Sequence, residues 1–205
     1  MPASANYRFR GCQLAAALLL LLTALLPSQA RADEHLSEAA LWDALRTGEA
    51  FAIMRHAMAP GTGDPTNFDV DDCSTQRNLN DVGRDQARRI GQRFRDNGIE
   101  NAEVLTSQWC RCRETAELLG LGEVSAFPAL NSFFRNSQNR APQTTETRDY
   151  LAAKEIKRPL VLVTHQVNIS ALIGKYTSSG ETLVVKPNVD GSMSLLGSLG
   201  DTTSQ

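Results

Sequence analysis

Two stretches, Phe51-Ala52-Ile53-Met54 and Leu160-Val161-Leu162-Val163, are apolar without a break, and each runs within two residues into a histidine. A strand with one wet face alternates polar and apolar residues, whereas an unbroken apolar run is a strand covered on both faces. The strands are separated by stretches of helical periodicity, the pattern of parallel strands joined by crossover helices. The chain is therefore expected to be α/β, a three-layer sandwich with a mostly parallel sheet and helices on both faces. In such sheets ligands bind at the C-terminal ends of the strands. Arg55, His56, Ser107 and His165 all fall at predicted strand ends.

In chain order, Ser37 reads as the cap of a helix that Gly48 stops. The strand Phe51–Arg55 follows. Residues 57–76 form a long loop rich in Gly, Pro, Asp and Asn, expected to fold over the site. Asn80 caps a helix over about 81–97, whose apolar face is Val82, Ala87, Ile90 and Phe94; its many arginines are solvated surface. Further strands are expected at 102–107, 159–164, 182–185 and 193–199, with 124–130 a short strand or connector. Helices are expected at 109–119, 144–154 and 168–176, and residues 131–143 read as an irregular polar loop. No repeat or linker divides the chain after its first segment.

That first segment has its own pattern. Arg8 and Arg10 precede an apolar run from Leu14 to Leu26, and Ala30-Arg31-Ala32 offers a small-residue cleavage site. This reads as a secretory signal peptide over 1–32, which removes Cys12 with it. The remainder, 33–205, is expected to be a single domain, exported to a periplasmic or extracellular setting, with no membrane anchor after cleavage. It carries 18 basic and 23 acidic side chains, a net of −5. That balance argues against nucleic acid as a partner. It also means that any anionic substrate must meet a local positive site within a negative overall field. Three cysteines remain, Cys73, Cys110 and Cys112. Cys110 and Cys112 sit two apart on a predicted helix and face different sides, so a disulfide would join Cys73 to one or the other. No C-x-x-C occurs and the chain has only three histidines, so neither a metal site nor a cofactor is expected.

The chemistry follows from residue types. A phosphomonoester dianion needs fixed donors, and the arginine fork matches phosphate oxygens. Neutral imidazole can attack phosphorus, and a second imidazole can stabilise charge on the equatorial oxygens. Arg55, Arg111, His56 and His165 can fill these roles. Arg111 lies near a helix N-terminus, where a cation opposes the dipole unless an anion binds beside it.

The same residues carry a resemblance. Met54-Arg55-His56-Ala57, then Arg77-Asn78-Leu79-Asn80-x-x-Gly83 with Gln86-Ala87, then Ser107-x-x-x-Arg111-x-x-x-Thr115-Ala116, then Val163-Thr164-His165 resemble, in order, the motifs of the histidine phosphatase superfamily, the phosphoglycerate-mutase-like fold. The resemblance implies that His56 is a phosphorylated nucleophile and that Arg55, Arg111 and His165 form the phosphate pocket, with Arg77 at its rim. Two departures stand out. Gln166 replaces the usual Gly after the second histidine and is a substrate-binding candidate. The segment Ala129-Leu130-Asn131-Ser132 lacks the carboxylate that mutase-like members carry there, so mutase activity is not expected. Asp64 in the long loop is the candidate proton donor. The expected protein is a small exported, metal-independent phosphatase acting on a phosphorylated small molecule or envelope sugar. A phospho-ligand-binding module without turnover is the alternative.

Overall fold

The computed structural model describes Met1 and residues 36–200, so the predicted signal peptide lies outside the described residues. From Leu36 onward the elements are α1 (Glu38–Thr47), β1 (Phe51–Arg55), α2 (Asp81–Asp96), β2 (Glu103–Thr106), α3 (Cys110–Leu119), β3 (Val124–Ala126), α4 (Arg140–Ala153), β4 (Leu160–Thr164), α5 (Gln166–Ile173), β5 (Thr182–Pro187) and β6 (Met193–Leu199). Short 3-10 turns occupy Cys73–Thr75, Pro128–Leu130 and Ser137–Asn139.

The six strands make one sheet in the order β3-β2-β4-β1-β5-β6. β3, β2, β4 and β1 are parallel, while β5 and β6 run antiparallel at one edge. The alternation of side chains along each strand splits the core into two layers. Ala52, Met54, Val161 and Val163 pack with Leu45 of α1, Phe94 of α2 and Leu119 of α3. Phe51, Ile53, Leu160 and Leu162 pack on the other face with Leu151 of α4 and Ile169 of α5. Helices thus cover both faces, as the unbroken apolar runs required.

Caps explain most boundaries. The Ser37 hydroxyl accepts from Ala40 N–H and the Asn80 side chain from Gly83 N–H, while Gly48, Gly120 and Gly174 close their helices in the left-handed conformation. Two helices begin earlier than their sequence suggests. α4 starts at Arg140 rather than 144, because Pro142 lies in the first turn, where a missing N–H costs nothing. α5 starts at Gln166 directly after His165 and ends at Ile173, capped by Gly174, three residues short of the expected end. The 131–143 stretch is correspondingly shorter and contains a 3-10 turn. Gly83 lacks a side chain for a steric reason: a Cβ there would collide with the Met58 carbonyl, so the start of the 57–76 loop lies directly on α2.

Candidate active site

Sheet order brings the chemistry together. β2, β4 and β1 are neighbours, and their C-terminal ends deliver Ser107, His165 and His56 side by side. The backbone continues the ladder at these tips, with His56 N–H donating to Thr164 O (3.0 Å) and Ser107 N–H to Val163 O (3.0 Å). The imidazoles of His56 and His165 meet edge to face with centroids 5.5 Å apart.

His56 is 2% exposed. Its Nδ1 lies 2.8 Å from the Ala57 carbonyl, which can only accept, so Nδ1 carries the proton. Nε2 is then the lone-pair nitrogen, and Arg111 Nε donates to it at 3.2 Å. Burial, then the Arg111 charge, pushes the His56 pKa from 6.5 to about 3, so the ring is neutral. His165 is likewise held well below 6.5, by burial first and then by Arg111 and His56.

A chain of hydrogen bonds sets the His165 tautomer. Asn131 Oδ1 accepts from Gln108 N–H (2.8 Å) and from the Ser107 hydroxyl (3.2 Å). With its proton given to Asn131, Ser107 Oγ accepts from Trp109 N–H (3.2 Å) and from His165 Nε2 (2.9 Å). His165 Nδ1 is left as the acceptor that faces Arg111 Nη2 at 3.5 Å. Cys112 Sγ packs 3.4 Å from His165 Nε2, and burial pushes its thiol pKa up to about 12, so it stays protonated and unreactive.

Arg111, in the first turn of α3, is 3% exposed. Its fork is filled by Asp64: Nη1 to Oδ1 at 2.7 Å and Nη2 to Oδ2 at 3.2 Å. Asp64 also accepts from Arg77 N–H (3.1 Å) and Trp109 Nε1 (3.3 Å). Its burial raises its pKa, but the hydrogen bond and charge of Arg111 outweigh that, and the net effect is to lower it. Asp64 is therefore a carboxylate in this arrangement, and a proton-donating role requires it to leave Arg111.

Arg55 donates through Nη1 to Thr177 O (3.1 Å), while its buried Nε has no acceptor among the described residues. Burial, then Arg111, lowers its pKa. Arg77 stands at the rim with its Nε on Gly63 O (2.8 Å) and Nη1 on Ala59 O, and burial brings its pKa down to about 10. Gln166 lines the cavity, yet its amide is spent on Thr177 (N–H 2.6 Å, hydroxyl 2.8 Å) and on Ser170 Oγ (2.8 Å), fastening the turn that holds Thr177 O against Arg55. The structure joins Cys73 to Cys110 and leaves Cys112 free. The disulfide ties the end of the 57–76 loop to the residue beside Arg111.

These groups form the floor of a cavity of about 550 Å³. Its upper wall is aromatic: Phe68 stacks on Trp109 with centroids 4.9 Å apart, and Phe134 and Tyr176 are exposed at the edge beside Asn136 and Arg135. Among the described residues no three His, Cys, Asp or Glu side chains gather as a metal-ligand set, and no helix is long and apolar enough to cross a membrane. Reading the sequence by motif did not single out Asn131 or Arg135, because both act through loop contacts that have no fixed spacing from the histidines.

Residues 51–133 match the family model described as "Histidine phosphatase superfamily (branch 1)". This segment belongs to the histidine phosphatase superfamily. It contains His56, Arg77 and Arg111, and His165 lies beyond it, just past the end of β4. Solved structures share the histidine phosphatase fold at low identity. The "putative phosphohistidine phosphatase SixA" from Agrobacterium tumefaciens is 17% identical with a TM-score of 0.53, over 75% of this chain and 98% of that one. The product of open reading frame Rv3214 from Mycobacterium tuberculosis is 15% identical with a TM-score of 0.55, over 72% and 95%. The mycobacterial glucosyl-3-phosphoglycerate phosphatase Rv2419c is 15% identical with a TM-score of 0.54, over 72% and 96%. No curated protein sequence matches the chain.

Proposed function

We propose that this chain is an exported, metal-independent phosphatase that hydrolyses phosphomonoesters through a phosphohistidine at His56. The observation that carries the reading is the state of His56: a neutral imidazole with Nδ1 tied to Ala57 O and its unprotonated Nε2 against Arg111 Nε, at a cavity that Arg55, Arg77 and Arg111 also line. Neutral imidazole is the nucleophilic form. The buried Arg55 Nε without an acceptor adds to this, since a buried charged donor calls for a partner and a phosphate oxygen supplies one.

In the first half-reaction His56 Nε2 bonds to phosphorus as the ester P–O bond breaks. Arg55 and Arg111 neutralise the equatorial oxygens, and His165, with Nδ1 as the acceptor that faces Arg111 Nη2, keeps that guanidinium in place. In the second half-reaction water attacks phosphorus, the N–P bond breaks, and phosphate leaves with His56 neutral again. The arginine donors are fixed in place where charge develops, so they need no reorganisation as the reaction proceeds.

The aromatic wall supports a ring-bearing leaving group, a phosphorylated small molecule or envelope sugar. Export is supported by the basic, apolar and small-residue order of residues 8–32 and by the Cys73–Cys110 disulfide, which suits an oxidising compartment. The test is turnover of a chromogenic aryl phosphate by purified protein, with and without chelator, beside His56→Ala. The reading predicts chelator-insensitive turnover that His56→Ala abolishes. Absent turnover in the wild type, with phosphate still binding, would make the chain a binding module.

A further inference from the structure

Asp64 and Arg111 make a two-pronged pair of a planar anion on a guanidinium fork, at the bottom of a cavity and nearly out of solvent. Two features make that pair more than a structural ion bridge. Arg111 reaches His56 Nε2 with its Nε, so the oxygens of any phosphoryl group attacked by His56 must come within reach of the same guanidinium that Asp64 fills. And the backbone around Asp64 is clamped independently of its side chain. Arg77 holds Gly63 O, and Arg135 from the opposite loop holds Asp64 O and, at 2.9 Å, Pro65 O. The carboxylate can swing about its own side-chain bonds while the chain that carries it stays in place.

We infer that Asp64 occupies the seat of the substrate's phosphoryl oxygens on Arg111, is displaced when phosphate binds, and from the displaced position donates the proton to the leaving oxygen. The inference rests on the phosphatase reading and supplies the proton donor that reading lacks. Trp109 Nε1, already 3.3 Å from Oδ2, is a donor on which the displaced carboxyl can rest, and the Trp109 ring forms part of the aromatic wall that the leaving group meets.

The charges change in the right direction. The groups facing Asp64 are the side chains of Arg111 and Trp109 and the Arg77 N–H, with the Arg77 guanidinium on the neighbouring Gly63 O and within electrostatic reach, and Arg135 on the Asp64 carbonyl. When phosphate takes Arg111, Asp64 loses its counterion and gains an anionic neighbour, and both favour the protonated form. A phosphomonoester, whose second pKa is about 6, arrives partly as the monoanion and can bring that proton. In the first step the His56 Nε2–P bond forms, the P–O bond breaks, and the Asp64 proton moves to the released alkoxide to give the alcohol. In the second step the Asp64 carboxylate takes a proton from the attacking water as the P–N bond breaks.

The test has two arms. First, dissociation constants of inorganic phosphate and orthovanadate are measured for wild type, Asp64→Asn and Asp64→Ala by calorimetry or thermal shift. With the seat emptied, Asp64→Ala is expected to bind both about tenfold or more tightly than wild type. Second, kcat is measured along a series of phosphomonoesters from nitrophenyl to alkyl leaving groups. Loss of a general acid is expected to slow alkyl esters by about 10²–10⁴-fold while sparing nitrophenyl phosphate. Asp64→Asn keeps the side-chain shape and guards against misfolding of the alanine variant. Unchanged phosphate affinity in both variants overturns the displacement, and an equal rate loss across the series overturns the acid role. The binding arm needs no turnover, so failure of the inference is distinct from failure of the phosphatase reading.

Discussion

The buried histidines make the fold acid-sensitive in a calculable way. A His56 that titrates at about 3 in the folded chain and at 6.5 when unfolded binds no proton in the native state over the range where the unfolded chain binds one. Stability is therefore fully present above pH 6.5 and is lost progressively as pH falls toward about 3. The loss is at most about 1.4 kcal/mol per pH unit for this group, so His56 alone removes about 2 kcal/mol by about pH 5 and on the order of 5 kcal/mol over the whole interval. His165, also lowered, adds to it in the same direction. The assay is urea unfolding of wild type and His56→Gln at a series of pH values. Glutamine does not titrate, so the wild-type slope of stability against pH should exceed the variant's by close to one proton equivalent between pH 6.5 and about 4, whatever constant offset the substitution causes. Equal slopes would refute the reasoning, because they would mean that His56 takes up its proton in the native state as readily as in the unfolded one.

Other perturbations separate the parts of the site. Arg111→Lys keeps a charge but loses the fork and the Nε bond to His56; kcat/KM for an aryl phosphate should fall by about 10²-fold or more, read by steady-state kinetics. Ser107→Ala removes the acceptor of His165 Nε2–H while leaving the ring buried, and kcat should fall about 10-fold or more with a shifted pH profile. Cys73→Ser opens a closure between residues 37 apart, which in the chain-entropy account costs about 4 kcal/mol; a fall in the urea midpoint and faster proteolysis within 57–76 are the readouts.

The sheet was legible because its central strands are unbroken apolar runs, and Phe51–Met54 and Leu160–Val163 leave no other arrangement than burial on both faces. The helix caps at Ser37, Gly48 and Asn80 were legible for a similar local reason. The start of α4 was not, since Pro142 reads as a breaker until its place in the first turn is known. At the site, residues fixed to strand ends could be found from sequence, because a strand end is a local feature. Contacts made across loops could not. Nothing in the spacing of Asp64 and Arg111 indicates that they form a buried pair, or that Asn131 orients Ser107, because loop closure depends on packing that no short-range pattern encodes. Cys110 and Cys112 show the intermediate case. Helical periodicity separated them onto different faces, but only the path of the 57–76 loop decided that Cys73 meets Cys110.

The central claim is that His56 Nε2 becomes bonded to phosphorus, and the direct measurement is rapid-quench trapping of the intermediate. Purified protein is mixed with a fast aryl phosphate, quenched in alkali, digested and mapped by mass spectrometry. The account predicts an acid-labile, alkali-stable phosphate on the peptide containing His56, absent in His56→Ala and accumulating in a burst equal to the enzyme present. Turnover with no phosphorylated peptide, or with phosphate on any residue other than His56, would contradict it.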